Sequence, residues 1–361
     1  MQRIIGTKLG AAVALLAVLF ALTIVPTGAQ AADEAPRARP ATTATDNGVP
    51  TMVDPNADLG AHTVGPETRW ADSIYFTSEV KAGGHDIGLL VHVNKVPNGF
   101  GRLVSFAVTD VTTGWYKNYM VGVDEEDFHW STTGLDISAP GLKWTGNAEK
   151  QSVSLDVPWG SLDVTLKAQS PVLYYGGNGV FPLLGATNYQ YAFPNMRTTG
   201  TLTLEDGKAQ RVTGQSWLDR QWGPTTDDPS LQWTWMNLNL PNGDAVAIWD
   251  TLTDTDEESW ATVVHRDGSH EVVAVEPVAN SADRFWTSPV SGNKYPTRWR
   301  VNIPALKAHL TVTLTGTNDQ EMARGENGRL EATAAFTGTY EGKKVSGKNY
   351  VEMIGDWKPK S

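Results

Sequence analysis

Beyond residue 60 the apolar positions of this chain recur with a period of two rather than the three-to-four of an amphipathic helix. From Trp233 to Leu240 the alternation is strict. Trp233, Trp235, Asn237 and Asn239 fall on one face of a predicted strand, and Met236, Leu238 and Leu240 on the other. Pro241-Asn242-Gly243-Asp244 follows, then an apolar run from Ala245 to Trp249. This predicts a hairpin, because Asn-Gly accepts the positive φ values of a tight turn. Thr201 to Leu204 alternates into the turn Glu205-Asp206-Gly207, and Leu89-Leu90-Val91-His92-Val93 reads as a short buried strand. The one helix the pattern suggests is short, over Asn318 to Arg324. The chain is predicted to be all-β.

The two halves repeat each other. Val212-Thr213-Gly214-Gln215-Ser216-Trp217-Leu218-Asp219 matches Val345-Ser346-Gly347-Lys348-Asn349-Tyr350-Val351-Glu352: valine, hydroxyl, glycine, two variable residues, aromatic, apolar, carboxylate. Val157-Pro158 leading to Leu162 through Leu166 matches Ile303-Pro304 leading to Leu310 through Leu314. Two matched pairs in one order predict duplication of one β unit into two barrel-like domains, 61–225 and 226–361. The boundary falls in the Gly/Pro/Asp-rich connector from Gly223 to Ser230.

The amino terminus changes this picture. Arg3 and Lys8 precede an apolar run from Leu9 to Val25, and Ala29-Gln30-Ala31 is a small-x-small cleavage site. Residues 1–31 are therefore expected to be a secretory signal peptide, with an uncleaved anchor as the competing reading. A secreted or extracytoplasmic protein with no membrane span after leader removal follows. Residues 32–60, rich in Ala, Pro and Thr, are expected to be a disordered linker.

With 29 Lys+Arg against 40 Asp+Glu the net charge is −11, which argues against a nucleic-acid partner. The chain has no cysteine, which excludes disulfides and thiol chemistry. Seven scattered His without ligand spacing give no expected metal site. The acidic runs Asp124–Asp127 and Asp254–Glu258 read as solvated hairpin tips.

Fourteen Trp point to the candidate chemistry. In Gly214 to Gly223, Trp217 and Asp219 share one face of a strand. If that face is interior, desolvation raises the Asp219 pKa and makes a neutral general acid. The structural alternative is an ion pair of Asp219 with Arg220 or Arg197. Trp222, Trp233, Trp235, Tyr189, Tyr191 and Tyr340 are candidate ligand-contacting aromatics, and Asn237 beside the indoles suits a cavity better than a packed core. Tyr175-Gly176-Gly177-Asn178-Gly179 is expected to be a flexible loop at the site's mouth.

At this point the segment from Gly200 to Gly223, with its Gly-x-x-Trp-x-Asp-x-x-Trp-Gly, resembles the signature of the carotenoid 1,2-hydratase (hydroxyneurosporene synthase)-like, AttH-type lipocalin-like family. That family includes kievitone hydratase and the lipocalin-like Diels–Alderases. Tyr174-Tyr175-Gly176-Gly177, Tyr189-x-Tyr191, Tyr295-Pro296-Thr297-Arg298-Trp299 and Tyr340-Glu341-Gly342, followed by Gly347, Tyr350 and Glu352, extend the resemblance over 69–357. It implies two lipocalin-like barrels with a hydrophobic small-molecule site between or within them and no cofactor. Asp219 is the implied acid. Trp217, Trp222, Tyr191 and Tyr340 are implied contacts, with Glu341 beside them. Three functions stay open: cyclisation of a hydrophobic polyene by conformational templating, hydration of an isoprenoid or polyene double bond with Asp219 as acid, and non-catalytic carriage of a lipid or pigment.

Overall fold

The computed structural model describes residues 51–64, 69–96, 99, 101–183, 186–205, 207–225, 228, 230–323 and 328–355. The expected leader, most of the expected linker, part of the 223–230 connector and Arg324 lie outside the described residues.

The strands form two antiparallel, curled sheets. The first holds β1 (Trp70–Ala82), β2 (His85–Val96), β3 (Gly101–Asp110), β4 (Trp115–Gly122), β5 (His129–Trp130), β6 (Leu135–Ala139), β7 (Leu142–Gly146), β8 (Lys150–Val157), β9 (Gly160–Ala168), β10 (Leu173–Tyr174), β11 (Val180–Leu183), β12 (Ala186–Thr203) and β13 (Ala209–Pro224). The second holds β14 (Gln232–Asn239), β15 (Ala245–Leu252), β16 (Glu257–Val264), β17 (His270–Ala274), β18 (Ala282–Thr287), β19 (Lys294–Ile303), β20 (Ala308–Leu314), β21 (Glu321–Ala323), β22 (Arg329–Tyr340) and β23 (Lys343–Ile354).

The first sheet runs β4-β3-β2-β1-β13-β12-β9-β8-β7-β6-β5, and the second runs β17-β16-β15-β14-β23-β22-β20-β19-β18. Each half therefore closes its first strand on its last, β1 on β13 and β14 on β23, which is the duplication read from the sequence. Both repeat pairs fall on equivalent strands, β9 with β20 and β13 with β23. The architecture is all-β and lipocalin-like.

Strands β1, β2, β13 and β14 bury side chains on both faces. On β1, Ile74, Phe76 and Val80 point into a core with Leu89, Val91, Trp144 and Leu218. On β14, Met236 and Leu238 join Ile248, Trp299, Val312 and Phe336 in a second core. Both curled sheets are thus filled with side chains. The opposite faces carry Tyr75, Leu90, Trp217, Trp235, Trp249 and Tyr350, which pack as a third layer between the sheets. Thr109 Oγ1 donates to Gln320 Oε1 at 2.9 Å and Asn118 Nδ2 to the Glu321 carbonyl at 2.9 Å, tying sheet to sheet at one side of this layer.

Two expectations are corrected. Glu321–Ala323 is a strand on β22, not part of a helix, because Met322 is drawn into the inter-sheet layer. Residues 51–60, the described end of the expected disordered linker, are packed: Val53 and Leu59 are buried in the first core. The Asn242-Gly243 hairpin forms as expected, with Gly243 at φ 95°. The acidic runs sit at exposed turns.

The glycine of the repeat has a steric reason. A Cβ on Gly214 would lie 2.3 Å from the Glu79 carbonyl oxygen and 2.6 Å from Val80 Cα, both backbone atoms of β1. Gly214→Ala is expected to cost about 2–3 kcal/mol by forcing the closing strand pair apart. Urea unfolding checks this, and a loss below about 0.5 kcal/mol would show that β1 yields.

Candidate functional site

Odd-numbered residues of β13 and even-numbered residues of β23 face the inter-sheet layer. Asp219 is 1 % exposed there. Its cross-strand partner is Tyr75 on β1, and Trp217 lies two residues away on the same face. Tyr175 Oη donates to Asp219 Oδ1 at 3.0 Å and in turn accepts from Trp235 Nε1 at 3.0 Å. Tyr175 reaches the carboxyl because the chain turns sharply after it: Gly176 and Gly177 adopt φ 66° and 84°. The Gly176 amide donates to Thr262 Oγ1 at 3.1 Å. The Gly-rich segment is thus a tied-down turn that carries a buried phenol, rather than a loose lid.

Burial pushes the Asp219 carboxyl up to about 7, and the charge of Glu352 adds to the rise; Trp217, Tyr175 and Tyr75 oppose it. Among the described residues no cation is paired with Asp219. The expected ion pair with Arg220 or Arg197 is overturned by strand alternation. Arg220 projects from the other face of β13 and bonds Asp72 Oδ1 at 2.7 Å, while Arg197 is exposed on β12.

The second sheet supplies further acids to the layer. Glu352 accepts from Trp233 Nε1 at 2.8 Å. Glu331 stands directly across from Glu352 in the β22–β23 register and is fully buried. Arg329 Nε lies 3.4 Å from Glu331 Oε1. His92, its ring tilted against Tyr75 with centroids 5.1 Å apart, is held well below its ordinary pKa by burial and by Arg329, so it is neutral. Asp219 Oδ2 and Trp217 Nε1 are buried without a well-directed hydrogen bond. A cleft of about 190 Å³, lined by residues that include Glu79, Gln215, Trp217, Asn237, Lys348 and Tyr350, leads onto this layer. Burial raises Glu79 to about 7 there, against the pull of Lys348.

Of the residues singled out by sequence, the fold brings together Asp219, Trp217, Trp233, Trp235 and Asn237. Asn237 is spoken for: its Oδ1 accepts from the Tyr350 amide at 2.7 Å. Trp222, Tyr189 and Tyr191 lie instead on the core side of the first sheet. There Trp222 stacks on Tyr189 at 5.6 Å and on His62 at 4.4 Å. Tyr340 belongs to the second core, where its hydroxyl donates to Asp244 at 2.9 Å. Glu341 is exposed at the β22–β23 turn with φ 50°. These five are therefore not neighbours of Asp219; an odd residue offset from Asp219 on β13, as at Trp222, inverts the face. Sequence reasoning did not single out Glu331, and it read Tyr175 only as the start of a flexible glycine-rich loop; both lie far along the chain from Asp219. Glu352 was signalled by the repeat, which aligns it with Asp219. Among the described residues no group of acids and histidines is arranged to hold a metal ion, and no helix is long and apolar enough to cross a membrane.

Tyr175→Phe removes a donor that holds the Asp219 value down. The proton should then persist to higher pH, moving the titration midpoint of Asp219 upward from about 7. Trp235 Nε1 loses its acceptor, at a cost of about 1–3 kcal/mol. A carboxyl titration by NMR, with urea unfolding alongside, checks both; an unmoved midpoint would show that Tyr175 does not bear on the acid.

Residues 102–356 match the AttH-like family model. Kievitone hydratase of Fusarium solani subsp. phaseoli is 28 % identical over 204 residues, 54 % of this chain and 57 % of that protein, so the match spans just over half of the relative's length. The crystal structure of kievitone hydratase from Nectria haematococca superposes with a TM-score of 0.73 at 22 % identity, covering 87 % of this chain and 95 % of that one. An AttH-type protein of Nitrosomonas europaea gives 0.70 at 21 %, covering 85 % and 97 %.

Proposed function

Because the chain belongs to the AttH-like family, we propose that it is a cofactor-independent enzyme that adds water to, or removes it from, a carbon–carbon double bond of a hydrophobic small molecule, with Asp219 as general acid. The observation that carries this reading is a carboxyl group buried among indoles, held by a phenol rather than a cation, and raised to about 7. Such a group keeps its proton near neutrality and can deliver it to an alkene carbon. The hydratase named among its relatives supports the same reaction class.

Cyclisation by templating would rest on a large apolar cavity that folds a polyene. The cleft over the layer mixes carboxylate, amide and ammonium groups with its aromatics rather than presenting a wholly apolar wall. That favours water chemistry. A carrier has no use for an un-ionised buried acid, which lowers stability at neutral pH. Export through the amino-terminal leader is part of the same proposal.

Deletion of the gene in its host, with accurate-mass comparison of accumulated small molecules, tests the reading. A lost product and an accumulated precursor that differ by one water are expected. An isobaric pair would replace hydration by cyclisation or another isomerisation, and unchanged metabolites would favour the carrier.

A further inference from the structure

Resting on the hydration reading, we infer that Glu352 is the base of the same reaction: the carboxylate that takes the proton of the attacking water, positioned by Glu331. The internal repeat equates Glu352 with Asp219, and the fold sets both strands' equivalent faces into one buried layer. Duplication has thus delivered two carboxyl groups to one place, and their surroundings differ. Asp219 is served by the hydroxyl of Tyr175. Glu352, 8 % exposed, accepts from the Trp233 indole. An indole N–H can only donate, so this contact favours an anion.

Glu331 is the neighbour that would position this base. It is fully buried and faces Glu352 across the ladder, with Arg329 Nε 3.4 Å from its Oε1. Two adjacent carboxylates in such a layer cannot both ionise. Burial first, then the Glu352 charge, pushes Glu331 well above its ordinary range despite Arg329. Glu331 therefore keeps its proton. The two acid centres are linked through one side-chain chain: Trp235 is the cross-strand neighbour of Glu352, and its indole bonds Tyr175, which bonds Asp219. Asp219 Oδ2 and Trp217 Nε1, each on a residue 1 % exposed, have no well-directed hydrogen bond in this layer. A substrate and its attacking water would supply the missing partners.

The step balances as follows. The Asp219 proton passes to one alkene carbon and leaves a cation on the other. A water oxygen lone pair forms the new C–O bond, and its surplus proton goes to Glu352. Return of that proton to Asp219, through solvent after product release, restores both groups. Dehydration is the same path reversed.

Two measurements on the full chain decide the matter. Infrared difference spectra are recorded about one pH unit below the Asp219 value of about 7. D219N and E331Q should each delete one un-ionised carboxylic acid band. E352Q should delete a carboxylate band and no acid band. Loss of an acid band in E352Q would overturn the inference. In D2O, with kievitone and neurosporene as probes, E352Q should lose net water addition by at least about 100-fold. It should still exchange deuterium into the alkene, while D219N loses both activities. Hydration by E352Q at the wild-type rate, or equal loss of exchange and hydration, overturns the base role. If E352Q unfolds, Glu352→Asp keeps a carboxylate and should lower hydration without lowering exchange. Wild-type inertness toward both probes with the band pattern intact would sink the hydration reading, and the base role with it, while the assignment of charges stands.

Discussion

Asp219→Asn is expected to lower turnover by about 10³–10⁴-fold while leaving the fold intact. The amide oxygen still accepts from Tyr175 in place of Oδ1, and the side chain keeps its volume, so the substitution removes little more than the deliverable proton. Steady-state turnover of the metabolite identified by gene deletion reads the effect; a variant within tenfold of wild type would remove Asp219 from the acid role and leave templating as the better account. The same substitution has a signed effect on stability. The folded-state value of about 7 lies above the ordinary 3.8, so the folded protein binds the proton more tightly than the unfolded chain does. The stability this contributes is fully present below pH 3.8 and is lost as pH rises through about 7. The Asn variant, with nothing to ionise, should therefore gain on wild type in melting temperature as pH is raised through that window. Activity in the wild type should fall over the same interval, because the acid form is the working one.

Arg220→Met is expected to destabilise the protein by about 3–5 kcal/mol. The guanidinium is fully buried, and it neutralises Asp72, itself 1 % exposed. Its Nε donates to the Asp58 carbonyl at 2.7 Å and Nη2 to the Gly60 carbonyl at 2.7 Å, so it also pins residues 57–60 against the first core. His62 adds a contact of 2.8 Å to Asp72. Burial would drive the Asp72 carboxyl up; Arg220 and His62 more than offset it, and the net value lies below 3.8. The stability held in this pair is present above pH 3.8 and is lost as pH falls through the lowered value. The variant should therefore lose most at neutral pH and converge on wild type in acid. Adding Asp72→Leu should recover much of the loss, because the cost lies in the orphaned charge. A double-mutant cycle by urea unfolding checks this, and simple additivity would refute it.

The strands were legible because alternation reports a face directly, as in Trp233 to Leu240, and because a duplicated unit writes its boundaries twice. Placement of Trp217 and Asp219 on one buried face followed from the same rule. What the sequence did not carry was which face belongs to which layer. Both faces of β1, β13 and β14 are buried, so polarity along the strand does not separate the core side from the inter-sheet side. Trp222 and Tyr191 therefore looked equivalent to Trp217 yet sit behind the sheet. Tyr175 was hidden for another reason: a glycine-rich turn reads as loose until the contacts that fasten it are known. Residues 51–60 resembled a linker because the groups that hold them are distant in the chain, such as Trp130, Tyr191 and Arg220, the last about 160 positions from Gly60.

The closure of first strand on last has a kinetic consequence. Ser78 meets Ser216 across a separation of 138 residues, and Trp233 meets Glu352 across 119. Such distant pairings form slowly, because the loop they close must be ordered before any contact repays it. β13 and β23 are the last strands made in their respective halves, and they carry Asp219 and Glu352. A nascent or truncated chain can assemble most of a curled sheet and still lack both carboxyl groups. In refolding, catalytic competence should thus lag behind the recovery of bulk β-structure and report the moment when each half finds its own beginning.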